Sequence, residues 1–260
     1  ITRWKNVFMS MFFYQLCRRR PEMAKKLLRK GVASQLGKDF DVDTHFRPSY
    51  NPWDQRVCFV PDGDMFRALR KGNASIVTDH IDTFTEKGIR LKSGRELEAD
   101  IIVTATGLQL LAMGGVQLSV DGEAVELSKR FAYKGMMLSG VPNFALAIGY
   151  TNASWTLKAD LTSMYVCRVL NHMDKHGYAQ CAPSVDEASM AEEPLIDFSS
   201  SYILRAIDSF PKQGKKTPWR VYQNYLLDLL NLKYGKVDDE AMDYRRRPAP
   251  ASRPAVRKAA

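Results

Sequence analysis

No two glycines in this chain of 260 residues stand as GxG, so the GxGxxG turn of a dinucleotide-binding site is absent. A Walker-type phosphate loop is absent as well. Whatever ligand these residues approach, they do not hold a pyrophosphate by themselves. Cysteine is scarce: Cys17, Cys58, Cys167 and Cys181 lie far apart with no CxxC spacing, which supports neither a zinc site nor a disulfide framework. A reducing, cytoplasmic setting is the expectation that follows. The stretch from Val7 to Cys17 is about half the ~20 apolar residues that a spanning helix needs, so no transmembrane segment is expected. Histidine is equally sparse. His172 and His176 stand at i, i+4 and could share a metal, but helix-end histidines are more often solvated and favoured by the dipole, so no metal site is expected. Neither a starting methionine nor a small-residue cleavage site accompanies "ITRWKNVFMSMFFYQLCRRR", and an interior start, a piece of a longer protein, is expected.

What the chain has in excess is positive charge, +9 net. Much of it is local, in "CRRRPEMAKKLLRKG" (17–31) and "YRRRPAPASRPAVRKAA" (244–260). Such clusters bind nucleic acid, anionic lipid or phosphate-bearing cofactors, or simply form a solvated helix face and a disordered tail. For the tail, Pro and Ala leave little to pack, and residues 236–260 are expected to be disordered. At the other end, an apolar stretch beside a basic one resembles an interfacial helix, which makes residues 1–30 the candidate surface for a peripheral membrane contact.

Residues 2–37 read as one or two basic amphipathic helices, broken near Pro21 and ended at residues 37 and 38. The Pro-rich segment 41–64 reads as a long ordered loop, a class of segment that is disproportionately functional. Next come a short helix closed by Gly72, a strand at 75–79 and a hairpin turning at Ser93–Gly94. "DIIVTATGL" (100–108) reads as a buried strand running into Gly107, and "VPNFALAIGY" (141–150) as another, ending near Gly149; a second β-rich piece turns at Asp121–Gly122. A helix of about six turns should follow, capped by Asn152 or Ser154, closed by Gly177, with Leu157, Leu161, Met164, Tyr165 and Val169 facing the core. Segments 181–220 are wrapping, and "VYQNYLLDLLNLKYG" is a last helix.

Ligands of open α/β sheets bind beyond the carboxyl ends of strands, where helix N-termini offer free N–H groups. Gly107 would let a cofactor approach the backbone without a Cβ in the way. A strand ending on Gly at a plain turn is the bland alternative. Arg56, in "YNPWDQR", is the charged residue to single out, because a guanidinium stays protonated and suits developing negative charge. Its bland alternative is a surface pair with Asp54 or Asp62. Cys58 reads as a buried small hydrophobe.

Four blocks in order, "FRPSYNPWDQRVCFVPDGDMFRALRKG", "GIRLKSGRELEADIIVTATGL", "YKGMMLSGVPN" and "GYTNASWTLKADL", closely resemble the carboxyl-terminal half of flavin-dependent Baeyer–Villiger monooxygenases. These belong to the flavin-containing monooxygenase superfamily, and the bacterial ethionamide-activating type is the nearest group. The resemblance runs from about Trp4 to Pro250. It implies an α/β fold: part of a flavoprotein with two dinucleotide-binding domains, for FAD and NAD(P), and a helical insertion. Residues 1–45 would be the helical insertion, 46–104 the end of the NADP-binding domain and 105–235 the returning part of the FAD-binding domain. Arg56 falls on the family's active-site arginine, which stabilises the negatively charged flavin peroxide and contacts the nicotinamide. Trp53 and Gln55 accompany it. Ala105, Thr106, Gly107 and Leu108 match the FAD-contacting ATG block, and Thr151 and Asn152 match the region near the isoalloxazine.

The implied activity is an NADPH- and O2-dependent monooxygenase that inserts oxygen into a ketone or oxidises sulfur, inactive as this portion alone. The rival expectation is a non-catalytic basic module on a membrane surface or nucleic acid, and under the main reading no nucleic acid partner is expected. A disulfide-reductase relative is disfavoured because the redox CxxC is missing.

Overall fold

A proline is tolerated in the first turn of a helix and disrupts its interior, and Pro21 divides the basic amino-terminal stretch into α1 (Thr2–Arg19) and α2 (Pro21–Leu36). Gly37 then stops α2 at φ +93°, a backbone conformation that side chains disfavour. Both features match the expected break and stop. They belong to a computed structural model that describes residues 2–186 and 190–247.

The remaining helices are α3 (Val42–His45), α4 (Asp64–Arg70), α5 (Trp155–His176), α6 (Ser201–Leu204) and α7 (Tyr225–Asp228), the last continuing as a π-helical segment, Leu229–Tyr234. The strands are β1 (Ile81–Thr85), β2 (Gly88–Leu91), β3 (Glu96–Glu98), β4 (Ser119–Val120), β5 (Glu123–Ala124), β6 (Ala132–Tyr133), β7 (Met137–Leu138), β8 (Tyr178–Pro183), β9 (Glu192–Pro194), β10 (Lys212–Gly214) and β11 (Met242–Arg246). The fold is thus mixed helix and strand. Its chain divides into two compact units, Ile1–Leu110 with Phe198–Arg205, and Leu111–Asp197 with Ala206–Ala260.

In the first unit α1 and α2 form a helical hairpin, and α4 ends at Gly72 as its sequence indicates. β1, β2 and β3 make an antiparallel meander in that order. The Ser93–Gly94 turn joins β2 to β3, with the Gly94 N–H donating to Leu91 O at 2.9 Å. Residues 75–79 carry no ladder, contrary to the strand expected there. The larger correction concerns 100–108. This segment joins no ladder, and Ile101 and Val103 are 82% and 83% exposed, so it is not a buried strand. Apolar composition gives the backbone its β preference, but burial needs partner strands and a covering layer, and no described residue supplies them.

The second unit has its own core. Phe131, Tyr133, Tyr150, Leu161, Tyr165, Trp219 and Leu232 are almost wholly buried. α5 matches its expected span and ends at Gly177, φ +69°. Leu161, Tyr165 and Val169 face the core as read from the sequence, whereas Leu157 and Met164 are half-buried and Lys158, Thr162 and Met173 complete the buried stripe. Ser154 is the N-cap, although its hydroxyl meets Thr156 Oγ1 at 2.8 Å rather than a backbone N–H. β4 and β5 turn at Asp121–Gly122, both at positive φ as a type I′ hairpin requires. Residues 141–150 form no ladder; their N–H groups instead make separate bonds, Asn143 to Cys181 O and Leu146 to Met136 O.

The expected disordered tail is also corrected in part. β11 pairs antiparallel with β8, its Met242 is buried, and the Tyr244 hydroxyl donates to Val237 O at 2.6 Å. Alternation of Met242 and Tyr244 with charged residues is the strand signal that the basic composition concealed. Residues 248–260 lie outside the described residues. Among the described residues no helix is long and apolar enough to cross a membrane.

Candidate functional site

The loop carrying Arg56 is built around Trp53. Trp53 stands at φ +71°, is 7% exposed and meets the ring of Tyr14 on α1 edge-on at 5.6 Å. A positive φ at a bulky residue is a costly conformation that persists only where its surroundings over-determine it. Here Pro52 is buried beside it and bridges to Gln55, and the Asp54 N–H donates to Asn51 O at 3.0 Å. The Asp54 carboxylate takes an ion pair from Arg18 at 2.9 Å and a bond from the Asn51 N–H at 3.2 Å. Its carbonyl oxygen accepts from both the N–H and the hydroxyl of Ser199, each at 3.0 Å. Asp54 is therefore spent on holding the loop, and the surface pair with Arg56 is not formed. Asp62 does not pair with Arg56 either; its carbonyl accepts from Arg67 at 2.7 Å.

Gln55 is half-buried and Arg56 exposed, and no carboxylate among the described residues engages that guanidinium. Cys58, two residues on, is exposed, which corrects its reading as a buried hydrophobe: no helix or strand covers this irregular stretch. Trp53 Nε1 is buried and meets no acceptor among the described residues. Such a donor calls for an acceptor from outside them.

Ala105, Thr106, Gly107 and Leu108 lie in exposed backbone outside any helix or strand. Gly107 is at φ +121°, and a Cβ there would come no nearer than 3.9 Å to Arg205 Nη2, so the backbone conformation rather than space demands glycine. Arg205 Nη2 donates to Leu108 O at 3.0 Å. Residues 198–205 thus tie two segments of the first unit, Ser199 to the Arg56 loop and Arg205 to the Gly107 segment. Sequence reading passed over both. Nothing local marks Ser199, whose partner is 145 positions away.

Thr151 and Asn152 belong to the second unit, just before α5. The Thr151 N–H donates to Gln223 Oε1 at 3.0 Å and Asn152 Nδ2 to Gln223 O at 2.8 Å. Beneath them Asp228 Oδ2 accepts from the Tyr150 hydroxyl at 2.7 Å and from Lys158 Nζ at 2.8 Å, with Lys158 3% exposed. Burial pushes the Asp228 carboxyl upward, while Lys158 and Tyr150 oppose that shift. Gly149 has a packing reason of its own: a Cβ there would overlap Trp155 Cγ. Lys158 and Asp228 were missed because a lysine in a helix reads as solvated, although Lys158 shares the stripe of Leu161 and Tyr165.

His172 and His176 join an aromatic cluster with Tyr178 and Tyr244, the two imidazole centroids 4.5 Å apart. Among the described residues no three His, Cys, Asp or Glu side chains converge as a metal site. All four cysteines are free thiols, Cys17 and Cys181 buried, Cys167 exposed like Cys58.

Comparison with known proteins gives the arrangement a context. No protein-family model matches the chain. Over 248 residues, 95% of this chain, it is 51% identical to the FAD-containing monooxygenase EthA of Mycobacterium tuberculosis, covering 51% of that protein. EthA of Mycolicibacterium smegmatis is 48% identical over 252 residues, 97% of this chain and 51% of that one. The protein named "Probable FAD-binding monooxygenase AlmA" of an Acinetobacter species is 48% identical over 247 residues, 95% and 50% respectively. The chain is a relative of the FAD-containing monooxygenases. It spans about half the length of the curated relatives it matches. As an EthA-like sequence it carries the Arg56 loop, the Gly107 segment and the start of α5 within the matched region.

Proposed function

We propose that the chain forms part of an NADPH- and O2-dependent flavoprotein monooxygenase that inserts one oxygen atom into a ketone, the Baeyer–Villiger reaction, or oxidises substrate sulfur. The observation that carries this reading is the 51% identity over 95% of the chain to an FAD-containing monooxygenase. In this reading residues 1–45 are a helical insertion, 46–104 close an NADP-binding domain and 105–235 return to an FAD-binding domain. The chain is then a carboxyl-terminal portion without activity of its own.

The residues present fit the ring of a flavin better than its phosphates. An open Cβ position at Gly107, apolar exposed neighbours and the orphaned Trp53 Nε1 suit a flat ligand with acceptor atoms. For the pyrophosphate the sequence offers no glycine turn. Bound FAD would supply the redox chemistry, taking hydride from NADPH and activating O2. Arg56 would hold negative charge that develops during oxygen transfer, because its cation is permanent and no described carboxylate neutralises it. Trp53 and Gln55 would orient it. Ala105, Thr106, Gly107 and Leu108 would offer backbone to the ring, with Arg205 fixing their course. In the second unit Thr151 and Asn152, at the start of α5, are assigned separately as cofactor-binding residues, since a helix N-terminus favours negative charge.

The test is oxygenation by the protein expressed from its gene, followed as NADPH consumption and as ester or sulfoxide carrying one atom from labelled O2. Arg56→Ala should retain the flavin spectrum and lose roughly 10²- to 10³-fold in product formation, the usual cost of removing one charge-stabilising donor. Normal oxygenation by that variant would remove Arg56 from the role.

A further inference from the structure

α1 is apolar on more than one side, and only part of that surface is used inside its own unit. Val7 and Cys17 are buried, Tyr14 meets Trp53, and Phe13 meets Phe59 at 6.0 Å. On the other side Trp4, Phe8 and Phe12 follow one another at i, i+4 and are 44%, 52% and 67% exposed, with Trp4 stacked on Phe8 at 5.8 Å. A helix turns by about 100° per residue, which places these three rings and Arg19 within about 80° of arc, flanked by Lys5 and Met9. α1 contains no acidic residue. On α2, Met23 and Leu27 are likewise exposed, and Lys30 continues their stripe.

Charge decides what such a face fits. Residues 2–31 hold nine cations, Arg3, Lys5, Arg18, Arg19, Arg20, Lys25, Lys26, Arg29 and Lys30, against the single acid Glu22. Carboxylates take up Arg18, Lys25 and Arg29. Lys5, Arg19, Arg20, Lys26 and Lys30 have no carboxylate partner among the described residues. A proline-bounded helix with Trp and Phe in the middle of a basic rim matches an interface where rings sit at headgroup depth and Lys and Arg stems lie along apolar surface with charged ends outward. A groove on a protein would have to desolvate Lys5 and Arg19 with the rings. Nucleic acid would use the cations and leave Phe8 and Phe12 without a role.

We propose that the Trp4–Phe8–Phe12 face of α1, with its basic rim, docks this chain on an anionic lipid bilayer. The experiment is co-sedimentation of the whole chain with phosphatidylcholine vesicles, with and without about 30% phosphatidylglycerol, in parallel with duplex DNA. Binding should be at least tenfold tighter to the anionic vesicles and should weaken as salt rises from roughly 0.05 to roughly 0.5 M. Phe8→Ser/Phe12→Ser should lower it about tenfold, and Lys5→Glu/Arg19→Glu should abolish the preference for anionic lipid. All four positions are exposed, and an unchanged circular dichroism spectrum verifies the fold. Equal binding to both vesicles, no binding, or full binding by the Phe8/Phe12 variant would overturn the proposal. DNA binding that survives those serines, or self-association lost with them, would also overturn it and assign the face to nucleic acid or to a second copy.

Discussion

Lys158 in the second unit is 3% exposed and bonds Asp228 at 2.8 Å, while in the first unit Arg18 and Arg29 meet Asp54 and Asp43 with half or nearly half of their side chains in solvent. The same chemistry has different consequences in the two places. Exposed pairs are screened and contribute little, whereas a buried pair makes each partner dependent on the other. A second cluster has a buried lysine and a part-buried carboxylate: Lys134 Nζ reaches Asp239 at 2.9 Å and the Tyr165 hydroxyl at 3.1 Å, and the Tyr133 hydroxyl donates to Asp239 at 2.8 Å. The first unit instead leaves Ile101, Val103 and Leu108 in solvent and holds its candidate site by loop contacts. The buried ion pair thus lies in the second unit, and the exposed Arg56 and Gly107 segments in the first.

The comparison breaks most sharply at Asp228. Asp228→Ala leaves Lys158 buried without its counter-charge and should cost about 3–5 kcal/mol in the urea unfolding of the second unit. Lys158→Met/Asp228→Leu should recover part of that loss, since a packed apolar pair replaces two charges. Next in size is Leu161→Ala, at about 2–5 kcal/mol from a wholly buried position. Gly149→Ala should cost about 1–3 kcal/mol, because Trp155 must move, and a change in Trp fluorescence would accompany it. Arg29→Ala, which removes an exposed pair in the first unit, should leave the unfolding midpoint unchanged within error. A large shift there would erase the distinction between the units.

Alkaline pH sharpens the same contrast. Burial pushes Tyr133, Tyr150 and Tyr165 above the ordinary tyrosine range. The folded state therefore keeps protons that the unfolded chain releases near pH 10, and stability should fall as pH rises through and above that value. Lys134, lowered mainly by burial, works in the opposite sense below the ordinary lysine value. Absorbance at about 295 nm should show these three phenols titrating only with unfolding. Ionisation without unfolding would show that the second unit's polar core is open.

Local signals carried far in this sequence. Pro21, Gly37, Ser93–Gly94, Asp121–Gly122 and Gly177 each act on the few residues around them, and all five mark real turns or ends. The stripe of α5 was legible where it was apolar and illegible at Lys158, since the reason for burying it lies 70 residues away. "DIIVTATGL" states a preference for extended backbone and nothing about who pairs with it. The candidate site divides likewise. Arg56 and Gly107 stand out by type and setting, but Ser199 and Arg205 acquire meaning only through contacts made 145 and 97 positions away.

The return of residues 198–205 to the first unit has a consequence for synthesis. A ribosome delivers the helical hairpin, the meander and the Gly107 segment early, yet the serine and arginine that fasten the two site loops emerge nearly a hundred residues later. Folding in order of emergence would complete much of the second unit's α5 before the first unit's loops are clasped. The later element to arrive is then the one that sets the geometry around Gly107.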